Sequence, residues 1–215
     1  MQIAQSQFLH NVKGIRELGS LHDFLKNSQN LSYDLSDLLR AEIVYAVSAL
    51  DKFVHELIRI GMIEAFSGKR VRTTKFEGFT ISAKTLEKIK ETAIERNLNP
   101  NHPPLPDELP EYWFEQEIVL KHKQASYQTP ININDGLSLI WKEEYKWQKI
   151  ATDMGLNEKS AKTQLETIVA RRNQIVHEAD LNFETGLRNN ISAIDVKDSV
   201  DFIENLGNTI FSLVK

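Results

Sequence analysis

Cysteine is absent from the 215 residues of this chain. Its absence excludes a disulfide scaffold, a thiolate zinc site and a cysteine nucleophile, and it fits a reducing compartment. Residues 1–11 do not combine a basic region with an apolar core, so we expect no secretory signal. Long apolar runs are missing too, because the longest one, residues 43–50, is far too short to span a bilayer. We therefore expect a soluble cytoplasmic protein that contacts no membrane.

Charge of one sign is not in large excess either. The chain has 30 acidic and 26 basic residues and a formal net charge of −4. Any contact with nucleic acid must therefore come from a local basic patch. Lys69, Arg70, Arg72 and Lys75 form one short basic cluster, which we expect to lie in a loop. So few charges are more typical of a solvated loop than of a binding surface.

Helical periodicity is present in most of the sequence. A first helix is predicted from apolar residues at three- to four-residue spacing, which are Phe8, Val12, Ile15, Leu18, Leu21 and Leu25. A long second helix is predicted at about 33–66, with Ser32 or Asp34 at its start and Gly68 at its end. Its apolar face contains Leu39, Ile43, Ala46, Leu50, Phe53, Leu57 and Ile60.

The middle of the chain is less regular. Ser82 begins a helical pattern that fades at Asn97, and residues 112–124 predict a further short helix. Proline is scarce, with six in the chain, and five of these fall in residues 99–110, which predicts an extended loop. Strand signals are weak and are confined to residues 76–81 at most.

The final third of the sequence is again helical. Residues 134–154 predict one helix that Gly155 ends, and residues 158–177 predict the next. Asp195 is expected to cap the last helix. The predicted fold class is all-α, a helical bundle with an irregular helical and loop insertion at about 67–132.

Several catalytic signatures are missing. The chain has no glycine-rich phosphate loop, no His-Glu-x-x-His sequence and no nucleophile elbow. Its six histidines are scattered, and no two of them have the spacing of metal ligands on one helix. We therefore predict neither a metal nor a cofactor.

Residues 168–180 contain the most informative pattern. Leu165, Ile168, Val169, Ile175 and Val176 are predicted to share one helix face, and Arg172 falls in the middle of that face. A guanidinium cannot lose its proton, so burying it without a partner is costly. Arg172 must therefore meet a carboxylate, extend along its stem to water, or face a cavity or a second subunit.

Asn173 and His177 are four residues apart and lie on a neighbouring strip of the same helix. Together with Arg172 they place a cation, an amide and an imidazole near one helix end, a set that suits a phosphodiester. The same residues also fit a purely structural interpretation. Arg172 would then form an ion pair, and His177 would interact favourably with the helix dipole.

A second polar stripe is predicted on the long early helix. Arg40, Ser48, Asp51 and His55 project to nearly the same side, and Asp51 and His55 are close enough to form a hydrogen bond. One interpretation is a polar layer whose hydrogen bonds are satisfied within the bundle. The other is a helper surface in which Asp51 orients His55, or in which either residue pairs with Arg172.

The sequence resembles a HEPN domain, specifically the RiboL-PSP-HEPN group. Two segments carry the resemblance, Arg-Arg-Asn-Gln-Ile-Val-His-Glu-Ala-Asp at 171–180 and Leu-Arg-Ala-Glu-Ile-Val-Tyr-Ala-Val-Ser-Ala-Leu-Asp-Lys-Phe-Val-His at 39–55. The signature of that family is an arginine, a spacer of about four to six residues and a histidine, usually with a polar residue after the arginine. Arg172, Asn173 and His177 match it, and Arg171 matches with a spacer one residue longer.

Two other arginine–histidine pairs share this spacing. Arg16 and His22 enclose a glycine, and Arg96 and His102 enclose Pro100, which no single helix can contain. The copy at 171–177 alone combines a helical context, an adjacent asparagine and a following amphipathic helix.

The resemblance implies a single HEPN-like domain over residues 1–215, with about four to five core helices. It also implies a metal-independent endoribonuclease of a toxin, antiphage or RNA-processing system, in which two copies pair and form one composite site. An antitoxin or another regulatory protein is a candidate partner. The alternative is a non-catalytic module that dimerises or holds a partner, with Arg172 paired to Asp51 or Glu178.

The resemblance also assigns candidate roles to individual residues. Arg172, Asn173 and His177 would be catalytic, and Arg171 would contact the substrate. Lys69, Arg70 and Arg72 would guide the RNA backbone. Four further residues are auxiliary candidates without an assigned role, namely Arg40, Asp51, His55 and Glu178.

Overall fold

The protein is built from helices, in a computed structural model that describes residues 1–28 and 33–215. The helices in these ranges are α1 (Gln2–Asp23), α2 (Ser36–Phe66), α3 (Thr74–Glu77), α4 (Ala83–Leu98), α5 (Pro110–His122), α6 (Pro130–Leu137), α7 (Lys146–Asp153), α8 (Glu158–His177) and α9 (Ala193–Val214). A π-helical turn, Phe24–Ser28, follows α1, and a 3₁₀ turn, Pro106–Glu108, precedes α5. Within the described ranges, the one β feature is an isolated antiparallel bridge between Leu181 and Arg188. The all-α prediction is confirmed.

The long helix α2 lies at the centre of the bundle. It packs against α1, α9, α8, α5 and α6. Six of the seven residues on its predicted apolar face are buried, with Ile60 partly exposed, and a second set is buried as well: Val47, Val54, Ile58 and Met62. A helix that is apolar on more than one side must be surrounded by partners, and this explains the central position of α2. No helix among residues 1–28 and 33–215 is long and apolar enough to cross a membrane.

Both predicted ends of α2 can be compared with the structure. Asp34 Oδ1 accepts a hydrogen bond from the backbone N–H of Ser36 at 2.9 Å, so its side chain covers the start of the helix. The other candidate, Ser32, lies outside the described residues. Gly68 has a φ of +76° directly after the helix, a left-handed conformation that glycine adopts without strain. The predicted helix end at Gly68 is confirmed.

The single helix predicted at 134–154 is wrong, because the structure has two short helices there, α6 and α7. Between them, the carbonyl oxygen of Leu139 accepts a hydrogen bond from Thr73 Oγ1 at 3.2 Å, and that of Ile140 accepts one from Arg70 Nη1 at 3.2 Å. Side chains from a distant loop thus satisfy carbonyls that would otherwise accept within a helix. The helical spacing of the apolar residues does not reveal this competition.

Three smaller predictions are also corrected. Ser192, not Asp195, caps α9, since its side chain accepts from the backbone N–H of Asp195 at 3.1 Å. Residues 76–81 form no strand, because Thr73 caps the short helix α3 instead. Leu21, predicted on the buried stripe of α1, is 44% exposed, and the neighbouring His22 is buried in its place.

The segment between α2 and α6 packs on the central helix. Phe66 of α2 stacks on Phe114 of α5 with ring centroids 4.4 Å apart, and Phe76 and Phe79 meet Phe114 edge-on. Apart from the 3₁₀ turn, residues 99–109 are irregular, as their prolines predict. This segment therefore contributes aromatic side chains to the core and does not lie free on the surface.

Candidate functional site

Helix α8 carries the predicted arginine–histidine motif and ends at its histidine. Asn157 caps the start of α8 by accepting a hydrogen bond from the backbone N–H of Ser160 at 2.8 Å. The first part of the predicted apolar face is buried, with Leu165, Ile168 and Val169. Val176 is 48% exposed, so its predicted place on the buried face is wrong. The last turn of α8 is exposed on most sides, and the motif lies on that turn.

Arg172 is partly buried and forms no ion pair with a carboxylate of residues 1–28 and 33–215. Its Nη1 donates to Asn173 Oδ1 at 2.9 Å. Its Nε is buried and has no hydrogen-bond partner among the described residues. A buried donor without an acceptor costs stability, and a guanidinium cannot avoid that cost by losing its proton. An anionic group that reached this guanidinium would therefore meet a donor that the described residues leave unpaired.

His177 is the last residue of α8 and is exposed to solvent. Asn173, one helical turn earlier, is also exposed, so Arg172, Asn173 and His177 share one helix end. The imidazole of His177 forms no hydrogen bond within residues 1–28 and 33–215. Both of its ring nitrogens are thus available to an incoming substrate, so the group can accept or donate a proton.

Asp180, just after the end of α8, is a buried acid that the motif alone does not identify. It is fully buried, with an exposed fraction of 0%. Its Oδ2 accepts from Arg40 Nε at 2.6 Å and from Arg171 Nη2 at 2.9 Å, and Arg171 Nη1 reaches its Oδ1. The same carboxylate also accepts from Asn189 Nδ2 at 3.3 Å. This acid therefore connects α2, α8 and the loop before α9.

The backbone around Asp180 reinforces this connection. Ala179 and Asp180 have φ values of 51° and 57°, in the left-handed region that side chains other than glycine seldom adopt. Both arginines also reach backbone carbonyls, Arg40 Nη2 that of Asn189 at 2.9 Å and Arg171 Nη2 that of Asn190 at 3.0 Å, and Arg40 Nη1 donates to Ser36 Oγ at 2.5 Å. The one sequence signal that could have identified Asp180 is its position, three residues after the motif histidine. The spacing does not indicate that it pairs with Arg40, 140 residues away.

Asp51 and His55 contact a different part of the chain from Arg172. Asp51 Oδ1 accepts from the backbone N–H of Tyr127 at 2.5 Å, and its Oδ2 accepts from Gln128 Nε2 at 3.1 Å. His55 Nε2 lies 3.2 Å from the carbonyl oxygen of Ala125 and 3.7 Å from Asp51 Oδ1. Both side chains therefore hold the loop that leads from α5 to α6. The predicted pairing of either one with Arg172 is absent from the described part of the structure.

Glu178 follows His177 and is exposed. It forms no ion pair in the described ranges, so the alternative pairing with Arg172 is not made there either. Arg172 thus pairs with neither of the two predicted acids, Asp51 and Glu178, in the described structure.

Three members of the basic cluster, Lys69, Arg70 and Arg72, lie in the loop between α2 and α3, as expected, but the fourth, Lys75, lies in the short helix α3. Arg70 pairs with Glu64, with 3.0 Å between Nε and Oε2, and Arg72 donates to the carbonyl oxygens of Ala65 and Phe66. Lys75 pairs with Asp135. Lys69 is exposed and forms no ion pair in the described part of the chain. Most of the positive charge here is therefore engaged with the fold.

A second buried polar atom without a partner belongs to Glu42 in α2. The side chain is 5% exposed, and its Oε1 has no hydrogen-bond partner among the described residues. It lines a 270 Å³ cavity between α1, α2 and α9. Burial raises the pKa of Glu42 to about 7, and the negative charge of Asp23 acts in the same direction, while Arg16 opposes it. Unlike Arg172, this group can become neutral by binding a proton.

No three histidine, aspartate or glutamate side chains in residues 1–28 and 33–215 lie close enough together to hold a metal ion. The groups gathered at the end of α8 are an arginine, an asparagine and a histidine, and two of these three are not typical metal ligands. What they can do chemically is bind an oxyanion and transfer a proton.

A family model described as RiboL-PSP-HEPN matches residues 10–215, and this range contains all the helices from α2 to α9 and most of α1. Comparison with curated proteins and with solved structures gave no significant match.

Proposed function

The chain belongs to the RiboL-PSP-HEPN family, and on that premise we propose that it is an endoribonuclease that cleaves RNA without a metal ion. Membership in this family suggests a nuclease or a dimerisation module. One observation favours the nuclease, namely the partly buried Arg172 with its unpartnered Nε beside the exposed His177. A buried guanidinium nitrogen without an acceptor costs stability, and a phosphate oxygen bound there would offset that cost.

The reaction we propose is attack of a ribose 2′-hydroxyl on the adjacent phosphorus. The bond from the 2′-oxygen to phosphorus forms, and the bond from phosphorus to the 5′-oxygen breaks. One imidazole removes the proton of the 2′-hydroxyl, and another donates a proton to the leaving 5′-oxygen. The products are a 2′,3′-cyclic phosphate and a 5′-hydroxyl. Arg172 stabilises the charge that grows on the phosphoryl oxygens. Asn173 positions this guanidinium by accepting a hydrogen bond from it.

In the reaction as proposed, one imidazole acts as the base and another as the acid, and each chain supplies one His177 at this helix end. We therefore propose that a second copy of the chain completes the site. Apolar side chains in the segment that follows His177 support a contact at this end of the molecule. Leu181 is 40% exposed, Leu187 69% and Phe183 84%, and side chains of this size are usually covered in an interface.

Arg171 and the auxiliary residues have supporting roles in this proposal. Arg171 and Arg40 hold Asp180, and through it they fix the end of α8 that presents His177. Lys69 is the residue of the basic loop best able to meet an RNA phosphate, because Arg70 and Arg72 already contact the fold. Asp51, His55 and Glu178 have no contact with Arg172, so we assign them no step of the reaction.

The cellular setting is part of the proposal and follows from the family resemblance alone. We propose a cytoplasmic toxin, antiphage or RNA-processing enzyme, whose activity an antitoxin or another regulatory protein would control.

The second candidate function is a non-catalytic dimerisation or partner-binding module. The network of Arg40, Arg171 and Asp180 favours it, because this network gives one arginine of the motif a structural task. In that case Arg172 would bind an acidic group of a partner protein, and His177 would carry out no proton transfer.

RNA cleavage in the presence of EDTA separates the two candidates. We expect the purified chain to cleave single-stranded RNA, leaving cyclic phosphate ends, and His177→Ala to lower the rate by about 10²–10⁴-fold, the usual contribution of a general acid or base. His102→Ala is the matched control, because His102 is exposed and follows Arg96 at a similar spacing. Equal cleavage by the wild type and His177→Ala, with the oligomeric state unchanged, would contradict the proposal.

A further inference from the structure

The cavity beside Glu42 lies far along the chain from the arginine–histidine motif and has its own chemistry. It has a volume of about 270 Å³ and lies between α1, α2 and α9. Its charged lining residues are Arg16 and Asp23 from α1, Glu42 from α2 and Lys197 from α9. Sites for drug-sized ligands have volumes of about 300–1,000 Å³, so this cavity suits a smaller molecule or a single side chain.

Glu42 places a buried carboxylate in the wall of this cavity. The residue is 5% exposed, and its Oε1 has no hydrogen-bond partner among the described residues. A buried carboxylate oxygen without a donor costs stability. A water molecule can donate to this oxygen, but only a cation also neutralises the charge that the carboxylate carries when it is ionised. A cationic donor would therefore satisfy Glu42 best.

The donors already present in the cavity wall have other partners. Arg16 Nη2 lies 2.7 Å from Asp201 Oδ1 and also bonds Glu204, and both of these acids belong to α9. Lys197 Nζ lies 3.1 Å from Asp201 Oδ2. The hydroxyl of Ser20, which also lines the cavity, donates to the carbonyl oxygen of Arg16 at 3.0 Å. None of these donors bonds Glu42 in the described part of the structure.

Negative charge exceeds positive charge around the cavity. The cations are Arg16 and Lys197, and the acids are Asp23, Glu42, Asp201 and Glu204. His22 Nδ1 lies 3.0 Å from Asp23 Oδ1, and even a protonated His22 would leave the acids in excess. The cavity therefore attracts a cation. An organic cation fits better than a metal ion, because no three acidic or histidine side chains of residues 1–28 and 33–215 lie close enough together to hold a metal.

Gly19 brings α1 close to this carboxylate. A Cβ at Gly19 would lie 2.8 Å from Glu42 Oε2, so a methyl group there would displace the carboxylate. Glycine destabilises the interior of a helix, and at this position it leaves room for the acid. Leu39 and Val200, which are both buried, add apolar surface to the wall. The cavity thus combines a carboxylate with apolar side chains, the two surfaces that an ammonium group and its alkyl chain contact.

We propose that the cavity between α1, α2 and α9 binds an alkylammonium group, which donates to Glu42 while its alkyl chain packs against Leu39 and Val200. An ammonium group has three donors and no acceptor, which matches a carboxylate that only accepts. Hydrogen bonds between two charged groups are among the strongest in proteins. The site uses neither Arg172 nor His177, so it does not depend on the proposed cleavage of RNA. The group belongs either to a free amine or to a lysine side chain of another protein.

The experiment is an NMR titration of the full chain at about pH 8, where Glu42, with its pKa of about 7, is mostly ionised. The first probe is n-butylammonium, and n-butanol is the matched neutral probe. We expect n-butylammonium to shift the backbone amide signals of Gly19 and Glu42 along one saturation curve, while those of Gly78 and Gly155 stay in place. n-Butanol should bind at least about 10-fold more weakly.

Two variants test the assignment. Glu42→Gln keeps the shape of the side chain and removes its charge, and we expect it to weaken n-butylammonium binding about 10–100-fold. Gly19→Ala places a methyl group against the carboxylate and should weaken binding at least about 3-fold. Gly14→Ala, in the same helix but with open space around it, is the matched control and should bind as the wild type does.

The proposal fails if n-butanol binds as tightly as n-butylammonium, or if Glu42→Gln and wild type bind equally. Putrescine and a capped tripeptide with one central lysine then identify the source of the group. Tighter binding of putrescine indicates a free amine, and tighter binding of the peptide indicates a lysine side chain. Equal binding of the two shows that the site recognises the alkylammonium group alone.

Discussion

Arg171 and Arg172 are neighbours in sequence and meet opposite environments. Arg171 donates to both oxygens of the buried Asp180 and to a backbone carbonyl. Arg172 keeps a buried Nε without a partner and reaches only the amide of Asn173 among the described residues. Successive residues of a helix point about 100° apart, so one faces the Asp180 network and the other does not. Two adjacent arginines of one motif can therefore differ in role. One stabilises the fold, and the other remains available to a ligand.

The largest expected effect concerns Asp180, the acid that Arg171 shares with Arg40. Asp180→Ala leaves the guanidinium groups of Arg40 and Arg171 near each other without their shared acid. Breaking a buried ion pair from one side costs about 3–5 kcal/mol, so we expect that loss in the free energy of unfolding. Urea denaturation followed by circular dichroism measures it. Glu178→Ala, an exposed acid two residues earlier, is the control and should change stability little. Equal stability of the two variants would contradict a structural role for Asp180.

The second prediction tests the other arginine. Arg172→Ala should lower the rate of RNA cleavage about 10²–10³-fold, the usual effect of removing one group that stabilises a growing negative charge. Its free energy of unfolding should change by less than about 1 kcal/mol, because no ion pair is lost. Single-turnover cleavage and urea denaturation of the same preparation provide both values. If stability falls as far as it does in Asp180→Ala, the two arginines do not differ in the way described.

The third prediction concerns Glu42, whose buried Oε1, like Arg172 Nε, has no hydrogen-bond partner among the described residues. Its pKa is raised from 4.5 to about 7, so the folded state binds a proton that the unfolded state releases. Stability should therefore fall as pH rises through this window and stay reduced above it. Glu42→Gln removes the charge, and we expect it to be more stable than wild type by up to about 3 kcal/mol above pH 7, with little difference below pH 4.5. Thermal unfolding of both proteins across this pH range measures the difference in stability. A difference that does not depend on pH would contradict a raised pKa of Glu42.

The smallest expected effect tests whether Arg171 stabilises the fold or contacts the substrate. Arg171→Lys replaces a fork that reaches both oxygens of Asp180 with a single ammonium group. We expect a loss of about 1–2 kcal/mol in the free energy of unfolding, since hydrogen bonds to charged groups are of this size. The KM for RNA should stay within about threefold of wild type. A raised KM with unchanged stability would instead show that Arg171 contacts the substrate.

Much of the fold could be predicted from the spacing of apolar residues. The bounds of α2, α8 and α9 agree with their predicted ranges to within a few residues, because each of these helices buries a regular face. The break between α6 and α7 could not be predicted, since it depends on Thr73 and Arg70 reaching carbonyls about 70 residues away. Spacing along one segment contains no information on such distant partners.

The same limit applies to the candidate site. The position of Arg172, Asn173 and His177 on one helix end follows from a helical repeat, and it was predicted. The task of Asp180 depends on the left-handed turn that brings it back to Arg40, and no local pattern indicates that turn.

Arg40 and Asp180 are separated by 140 positions along the chain. Synthesis proceeds from the N-terminus, so Arg40 leaves the ribosome long before the acid that it will bind. The end of α8 therefore obtains this anchor only after residue 180 has been made. A chain cut short before that residue would leave the guanidinium of Arg40 without this acid.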